Sequence, residues 1–161
     1  MDLKALNALP DAEAREAFRR CCGSTLWVGK MVHGRPFADK AALLKAAEEN
    51  WRGLARADIL EAFAHHPRIG ASKASGWAKS EQSGVAAAAQ ATLDALAAGN
   101  AEYERRFGHI YLVCATGKSA DEMLGILKRR LANAPEAELA AAAGEQAKIT
   151  ALRLEKLLTG R

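Results

Sequence analysis

The 161-residue sequence predicts an all-α fold, a compact single-domain bundle of about eight helices covering residues 1–161. Three observations point there. Ala, Leu, Glu, Lys and Arg dominate, and all are strong helix formers. Val, Ile, Thr and Tyr are sparse, which leaves little material for a sheet. Helix-start and helix-stop residues recur along the chain, bracketing apolar residues spaced three or four apart. Much of the hydrophobic half of the composition is alanine, which buries little area. The core must therefore rest on clusters of Leu, Ile, Val, Phe and Trp.

Each element follows from local signals. Asp2 caps a short first helix that stops before Pro10. Asp11 is the expected N-cap of a second, running to about Cys22 with Gly23 as its stop. Ser24 opens a third through Trp27, Val28 and Met31, ending at Gly34 before the turn Arg35-Pro36. Asp39 caps a fourth, in which Leu43, Leu44, Ala47 and Trp51 follow the helical repeat. A fifth spans about Arg56 to Ala64 with Ile59, Leu60 and Phe63 inward, and Pro67 disfavours its continuation at His66. Residues 66–79 are rich in Gly, Ser and Pro; this longest irregular stretch is a natural place for function. Ser80 is expected to cap a long helix through Glu81, Val85, Leu93 and Leu96, closed by Gly99. Asn100 is expected to cap a short helix with Tyr103 and Phe107, closed by Gly108. Residues 110–114 (Ile-Tyr-Leu-Val-Cys) form the one strongly β-like run. A lone run builds no sheet, so it is either buried extended chain or the start of a helix. Ser119 starts a helix through Met123, Leu124, Ile126, Leu127 and Leu131, and Pro135 suits the first turn of a final helix reaching about Leu158.

Charge and motifs exclude several function classes. The net charge of +4 and pI of 9.1 fit attraction of a small anion and do not demand nucleic acid. Basic residues occur singly or in short groups among acidic ones, as on solvated helix faces. Cys21, Cys22 and Cys114 are odd in number, and two are adjacent, so a reducing cytoplasm is the expected setting. The N-terminus lacks the apolar stretch of a signal peptide, no run reaches membrane-spanning length, and the C-terminus carries no peroxisomal address. No metal site is expected: His33, His65, His66 and His109 form no chelating spacing with the cysteines. Phosphate-loop, dinucleotide and nucleophile-elbow motifs are absent too, and Cys114 within an apolar run suits a core thiol better than a nucleophile.

Three residues stand out chemically, each with a plainer alternative. His66, at a helix end before Pro67, has a ring suited to proton transfer near neutrality; equally, a histidine there caps exposed carbonyls. Glu81 falls on one helical stripe with Val85, Ala89, Leu93 and Leu96; equally, an acid in a first turn complements the macrodipole. Arg153 lies beside Ile149 and Leu157, where a guanidinium needs an anionic partner; equally, it snorkels at the edge of the apolar face.

Taken together the pieces resemble one family. The order His66-Pro67-Arg68-Ile69-Gly70, Glu81-Gln82-Ser83-Gly84-Val85 and Asn100-x-x-Tyr103-x-x-x-Phe107-Gly108 resembles 2-oxo-4-hydroxy-4-carboxy-5-ureidoimidazoline (OHCU) decarboxylase. Trp27 and Arg35-Pro36-Phe37 extend the match toward the N-terminus. Arg130-Leu131-x-Asn133, Glu136-x-Glu138-Leu139 and Ile149-x-x-Leu152-Arg153-Leu154 extend it toward the C-terminus, so it covers nearly the whole chain. The resemblance implies a helical fold of that family's own type, usually a homodimer, with no cofactor, acting on a small molecule and on neither nucleic acid nor membrane. It implies decarboxylation of OHCU to (S)-allantoin in urate breakdown. It further implies His66 and Glu81 as catalytic residues. Pro67, Gln82, Tyr111, Leu112, Val113, Cys114, Ala115 and Arg153 would contact substrate. One position departs from the pattern: the family's usual serine three residues before the glutamate is Ala78 here. Two rival readings are a helical binding module without catalysis, which predicts clustered positive charge, and a related enzyme acting on another ureido or imidazole compound.

Overall fold

The computed structural model describes residues 1–70, 76–86 and 88–160. Among these it holds nine α-helices, one 3-10 turn and no strand. The helices are α1 (Leu3–Ala8), α2 (Asp11–Cys21), α3 (Thr25–His33), α4 (Lys40–Arg52), α5 (Arg56–Ala64), α6 (Gly76–Glu81), α7 (Gln90–Phe107), α8 (Ala120–Arg130) and α9 (Pro135–Thr159). No described helix is long and apolar enough to cross a membrane. The packing divides into two compact units. One comprises Met1–His65 with the C-terminal residues from Ala147, the other His66–Gln146.

Four helices start where their capping side chains predict. Asp2 accepts from the Ala5 N–H at 2.7 Å, Ser24 from Trp27 at 3.2 Å and Asp39 from Ala42 at 2.7 Å. Ser119 and Glu122 form a reciprocal capping box at the start of α8. Asp11 is different. Pro10 occupies the N-cap position, and Asp11 is the first helical residue, its carboxylate drawn 2.7 Å from the Arg35 guanidinium. Gly23 is not a left-handed stop either, since α2 ends at Cys21 with Cys22 extended. A Cβ at Gly23 would lie 2.4 Å from the His65 ring, so the glycine makes room for that ring.

In the first unit the core forms around Trp27, Phe18, Leu6, Met31 and Leu43, all fully buried. The Trp27 indole N–H donates to the Ala47 carbonyl at 3.0 Å, which satisfies its one polar atom. Phe18 meets Trp27 and Phe37 edge-on, with centroids 6.1 and 6.4 Å apart. Of the predicted inward residues of α5, Phe63 is buried while Ile59 and Leu60 are half-buried. Cys21 and Cys22 are buried in this unit, and loss of water pushes their thiols up to about 12 and about 11. Both stay protonated near neutrality, which removes them as nucleophiles.

The second unit departs most from expectation. The predicted helix opening at Ser80 does not exist: Ser80 lies inside α6, Ser83–Val85 is a 3-10 turn, and a new helix begins at Gln90. That helix, α7, runs unbroken through Gly99 and Asn100 to Phe107, so neither residue ends or caps a helix. Gly99 is there for packing. A Cβ would stand 2.5 Å from the Leu127 side chain of α8, and Leu127 is fully buried. Interior glycine costs about 1 kcal/mol of helix propensity, a cost the close approach of α7 and α8 offsets. Gly108 does end α7 as expected, in the left-handed region at φ 76°. Residues 76–79, expected to be irregular, are helical, while positions 71–75 of that stretch lie outside the described residues.

Candidate active site

The β-like run is largely buried and lies outside any helix, so it is not the start of one. After Gly108 closes α7, residues 110–115 run without helix or strand until α8 begins. Tyr111, Leu112, Val113, Cys114 and Ala115 are all buried. Such a segment must find partners for its backbone polar groups, and side chains supply them. Arg130 donates from Nη1 to the Leu112 carbonyl. Lys118 donates to the Cys114 carbonyl at 2.7 Å, and the Cys114 N–H donates to Glu145 Oε1 at 3.3 Å. The Tyr111 hydroxyl donates to the Met123 carbonyl at 2.8 Å.

Arg130 is itself held by a buried polar cluster. Its Nε donates to Glu138 Oε1 at 2.7 Å. The Tyr103 hydroxyl donates to the same oxygen, and Asn133 donates to Oε2 at 3.0 Å. Glu138 is fully buried, and a carboxylate there is tolerable only with partners of this kind. The guanidinium also lies 5.1 Å from the Tyr111 ring centroid and 5.9 Å from that of Tyr103. Burial works against the Arg130 charge, but Glu138 more than offsets it and holds the group above its ordinary value. Burial, then the bond to Glu138, raises the Tyr103 phenol, so it remains a neutral donor.

The loop at residues 66–70 is pinned at several points. The Gly70 N–H donates to Gln82 Oε1 at 3.0 Å, and Asn100 donates to the Ile69 carbonyl at 3.0 Å. Arg68 makes a two-pronged pair with Glu104 at 2.9 and 2.8 Å. At the head of the loop, His66 Nε2 lies 2.6 Å from Oε1 of Gln146, a fully buried α9 residue. His66 and Pro67 are half-buried.

Glu81 is buried at the end of α6, at 8% exposure, followed by buried Gln82. The burial agrees with the sequence reading, but the reason differs. Val85 sits in the 3-10 turn and Leu93 and Leu96 on α7, so no single helical stripe carries these residues. The second unit thus contains His66, Pro67, Glu81, Gln82 and residues 111–115. Gln82 ties α6 to the His66 loop, and consecutive residues of α9 serve the buried segment (Glu145) and His66 (Gln146). Arg153 belongs to the first unit, half-buried, where its Nη1 donates to the Arg20 carbonyl at 3.4 Å. A broad groove in that unit, lined by residues such as Arg15, Lys30, His33 and Asp58, contains none of the expected catalytic or substrate-binding residues.

The residues that sequence reasoning missed are Gln146, Glu145 and Lys118. Gln146 carried a readable signal: an amide one helical turn after Ala142, on an inward face of an alanine-rich helix.

Gly84 makes a testable contribution to this region. A Cβ there would lie 2.3 Å from the Lys118 carbonyl oxygen and 3.1 Å from Ser119 Cα. Backbone at the start of α8 cannot swing aside as a side-chain tip does. Gly84→Ala is expected to cost about 1–3 kcal/mol, read as a lower urea midpoint at unchanged m-value.

Comparison with known proteins identifies the family. The family model described as OHCU decarboxylase matches residues 7–155. The uric acid degradation bifunctional protein TTL of Arabidopsis thaliana is 37% identical over 154 residues, covering 91% of this chain and 48% of that protein. The chain thus spans about half the length of that relative. The 2-oxo-4-hydroxy-4-carboxy-5-ureidoimidazoline decarboxylase of Amia calva is 31% identical over 173 residues, covering 98% of this chain and 95% of its own length. Among solved structures, an OHCU decarboxylase crystallised in the presence of (S)-allantoin superposes with a TM-score of 0.80 at 38% identity, over 88% of this chain and 96% of that one. An (S)-allantoin synthase superposes at 0.74 with 18% identity, over 98% of this chain and 54% of that one, and shares the fold. With a model spanning residues 7–155 and a full-length relative above 30% identity, the motif order seen in the bare sequence has its explanation: the chain belongs to the OHCU decarboxylase family.

Proposed function

We propose that this chain decarboxylates OHCU to (S)-allantoin in urate breakdown. One observation carries the reading. The family match at residues 7–155 contains every residue singled out for the site, from His66 to Arg153, and spans both compact units. The same observation supports treating the whole chain as one functional domain. The name of the Amia calva relative carries this substrate, that of the Arabidopsis relative carries uric acid degradation, and the solved decarboxylase was crystallised in the presence of (S)-allantoin.

The chemistry suits the residues. When the bond to the carboxylate carbon breaks, carbon dioxide leaves and the electron pair moves into the neighbouring carbon–nitrogen double bond of the substrate itself. That built-in sink lets the reaction proceed without a cofactor. The nitrogen takes up a proton. A proton is then delivered to one face of the ureido-bearing carbon as the hydroxyl proton is withdrawn and the carbonyl forms. The net change is one proton in place of carbon dioxide. His66 moves these protons, and Glu81 hydrogen-bonds the substrate ring or helps hold the imidazole. Pro67, Gln82 and residues 111–115 shape the site and hold the amide-like edges of the ring, and Arg153 binds the anion. The family pattern supports a homodimer as the working form. Three free, buried thiols suit a cytoplasmic setting.

The test is to supply freshly generated OHCU and follow circular dichroism as chiral allantoin forms, with and without protein. Formation of the S enantiomer above the spontaneous rate supports the reading. A racemic product at the spontaneous rate overturns it.

A further inference from the structure

We propose that Gln146 is a positioning residue for His66, fixing the ring's orientation and its tautomer with the proton on Nε2 and the basic lone pair on Nδ1. The inference rests on the decarboxylase reading for its catalytic consequence, but not for the tautomer itself.

The geometry begins with a short contact. His66 Nε2 and Gln146 Oε1 are 2.6 Å apart, across 80 residues of sequence. An amide oxygen can only accept, so the nitrogen facing it must carry the proton. A neutral imidazole has one N–H, and the second nitrogen then holds the lone pair.

Burial makes the contact more than incidental. Gln146 is fully buried, as is Ala142 one turn earlier on α9, so an aliphatic side chain would satisfy that inward face without any polar requirement. A primary amide in such a place must be hydrogen-bonded, and a bond to an imidazole gives it a directional partner. The His66 end is constrained as well. Pro67 restricts the backbone of His66, and the loop beyond it is tied at Ile69 by Asn100 and at Gly70 by Gln82. With its backbone anchored and one ring nitrogen held, the imidazole has little freedom left in either torsion. Fixing a proton-transferring ring in this way favours the reacting geometry without any contact between Gln146 and substrate.

Nitrogen-15 spectra of the full chain test the proposal directly. His66 resonances are identified as those lost in His66→Asn, and are recorded above the imidazole titration range so that the ring is neutral. The expected wild-type spectrum shows a protonated Nε2. Gln146→Glu, whose carboxylate also only accepts, is expected to retain that tautomer. Gln146→Leu is expected to lower kcat about tenfold or more with KM within about twofold, as when the partner of a functional imidazole is removed. A wild-type ring protonated on Nδ1 would overturn the proposal. So would a switch from Nδ1–H to Nε2–H in Gln146→Glu, because the native amide would then have been the donor. A folded Gln146→Leu with wild-type kcat and ring spectrum would overturn it too. If Gln146→Leu does not fold, the wild-type and Gln146→Glu spectra still decide. Absence of any allantoin formation by the wild-type chain would instead count against the decarboxylase reading, and the ring spectra would still judge Gln146.

Discussion

His66→Asn is expected to slow (S)-allantoin formation by about 10²–10⁴-fold, the usual worth of a positioned acid–base group. Asparagine keeps a polar side chain near Gln146 but cannot exchange protons near neutrality. His66 is half-buried and outside any helix, and Asn is compatible with the position before a proline. The melting temperature should therefore move little. Two measurements check this: kcat/KM from the circular dichroism assay, and thermal unfolding of the same preparation. Wild-type turnover in a folded variant would remove His66 from the mechanism.

Glu138→Ala has the largest expected effect on stability. It leaves the Arg130 guanidinium buried opposite no carboxylate, and takes an acceptor from Tyr103 and Asn133 as well. Removing one partner of a buried ion pair costs about 3–5 kcal/mol, a large share of the roughly 5–15 kcal/mol that holds a domain together. Arg130 also donates to the Leu112 carbonyl, so the loss should be felt in the buried segment proposed to meet substrate. Urea unfolding gives the stability change. Glu138→Gln, which keeps the shape and an acceptor oxygen, should be milder. If Glu138→Ala unfolds at the wild-type urea midpoint, the cluster contributes nothing to stability and its place in this account is lost.

Local chemistry was legible in the sequence and long-range chemistry was not. Asp2, Ser24, Asp39 and Ser119 each bond a backbone N–H three residues on, so their caps can be read from a short window. Gly99 and Asn100 looked like a helix stop and a helix start for the same local reason. What decides there is Leu127, packed against the glycine, and the Ile69 carbonyl, which takes the asparagine amide. Glu81 is buried, as the stripe reading required and the first-turn reading did not, but the residues of that stripe are spread over α6, a 3-10 turn and α7. Glu138 appeared only as part of a family motif. Its role as the anchor of Arg130 depends on Tyr103, 35 residues away. Gln146 shows an inward-facing amide one turn after Ala142, but its partner, His66, lies 80 residues away, beyond any local window.

The three cysteines have a practical consequence. Cys21 and Cys22 lie in one compact unit and Cys114 in the other, and all three are shielded from solvent. A thiol-specific reagent can reach them only when the surrounding structure opens. Site-resolved mass spectrometry of timed labelling should therefore provide two independent clocks, one for each half of the molecule, without introducing a probe. Modification of all three at the rate of a small free thiol would show that neither half protects them.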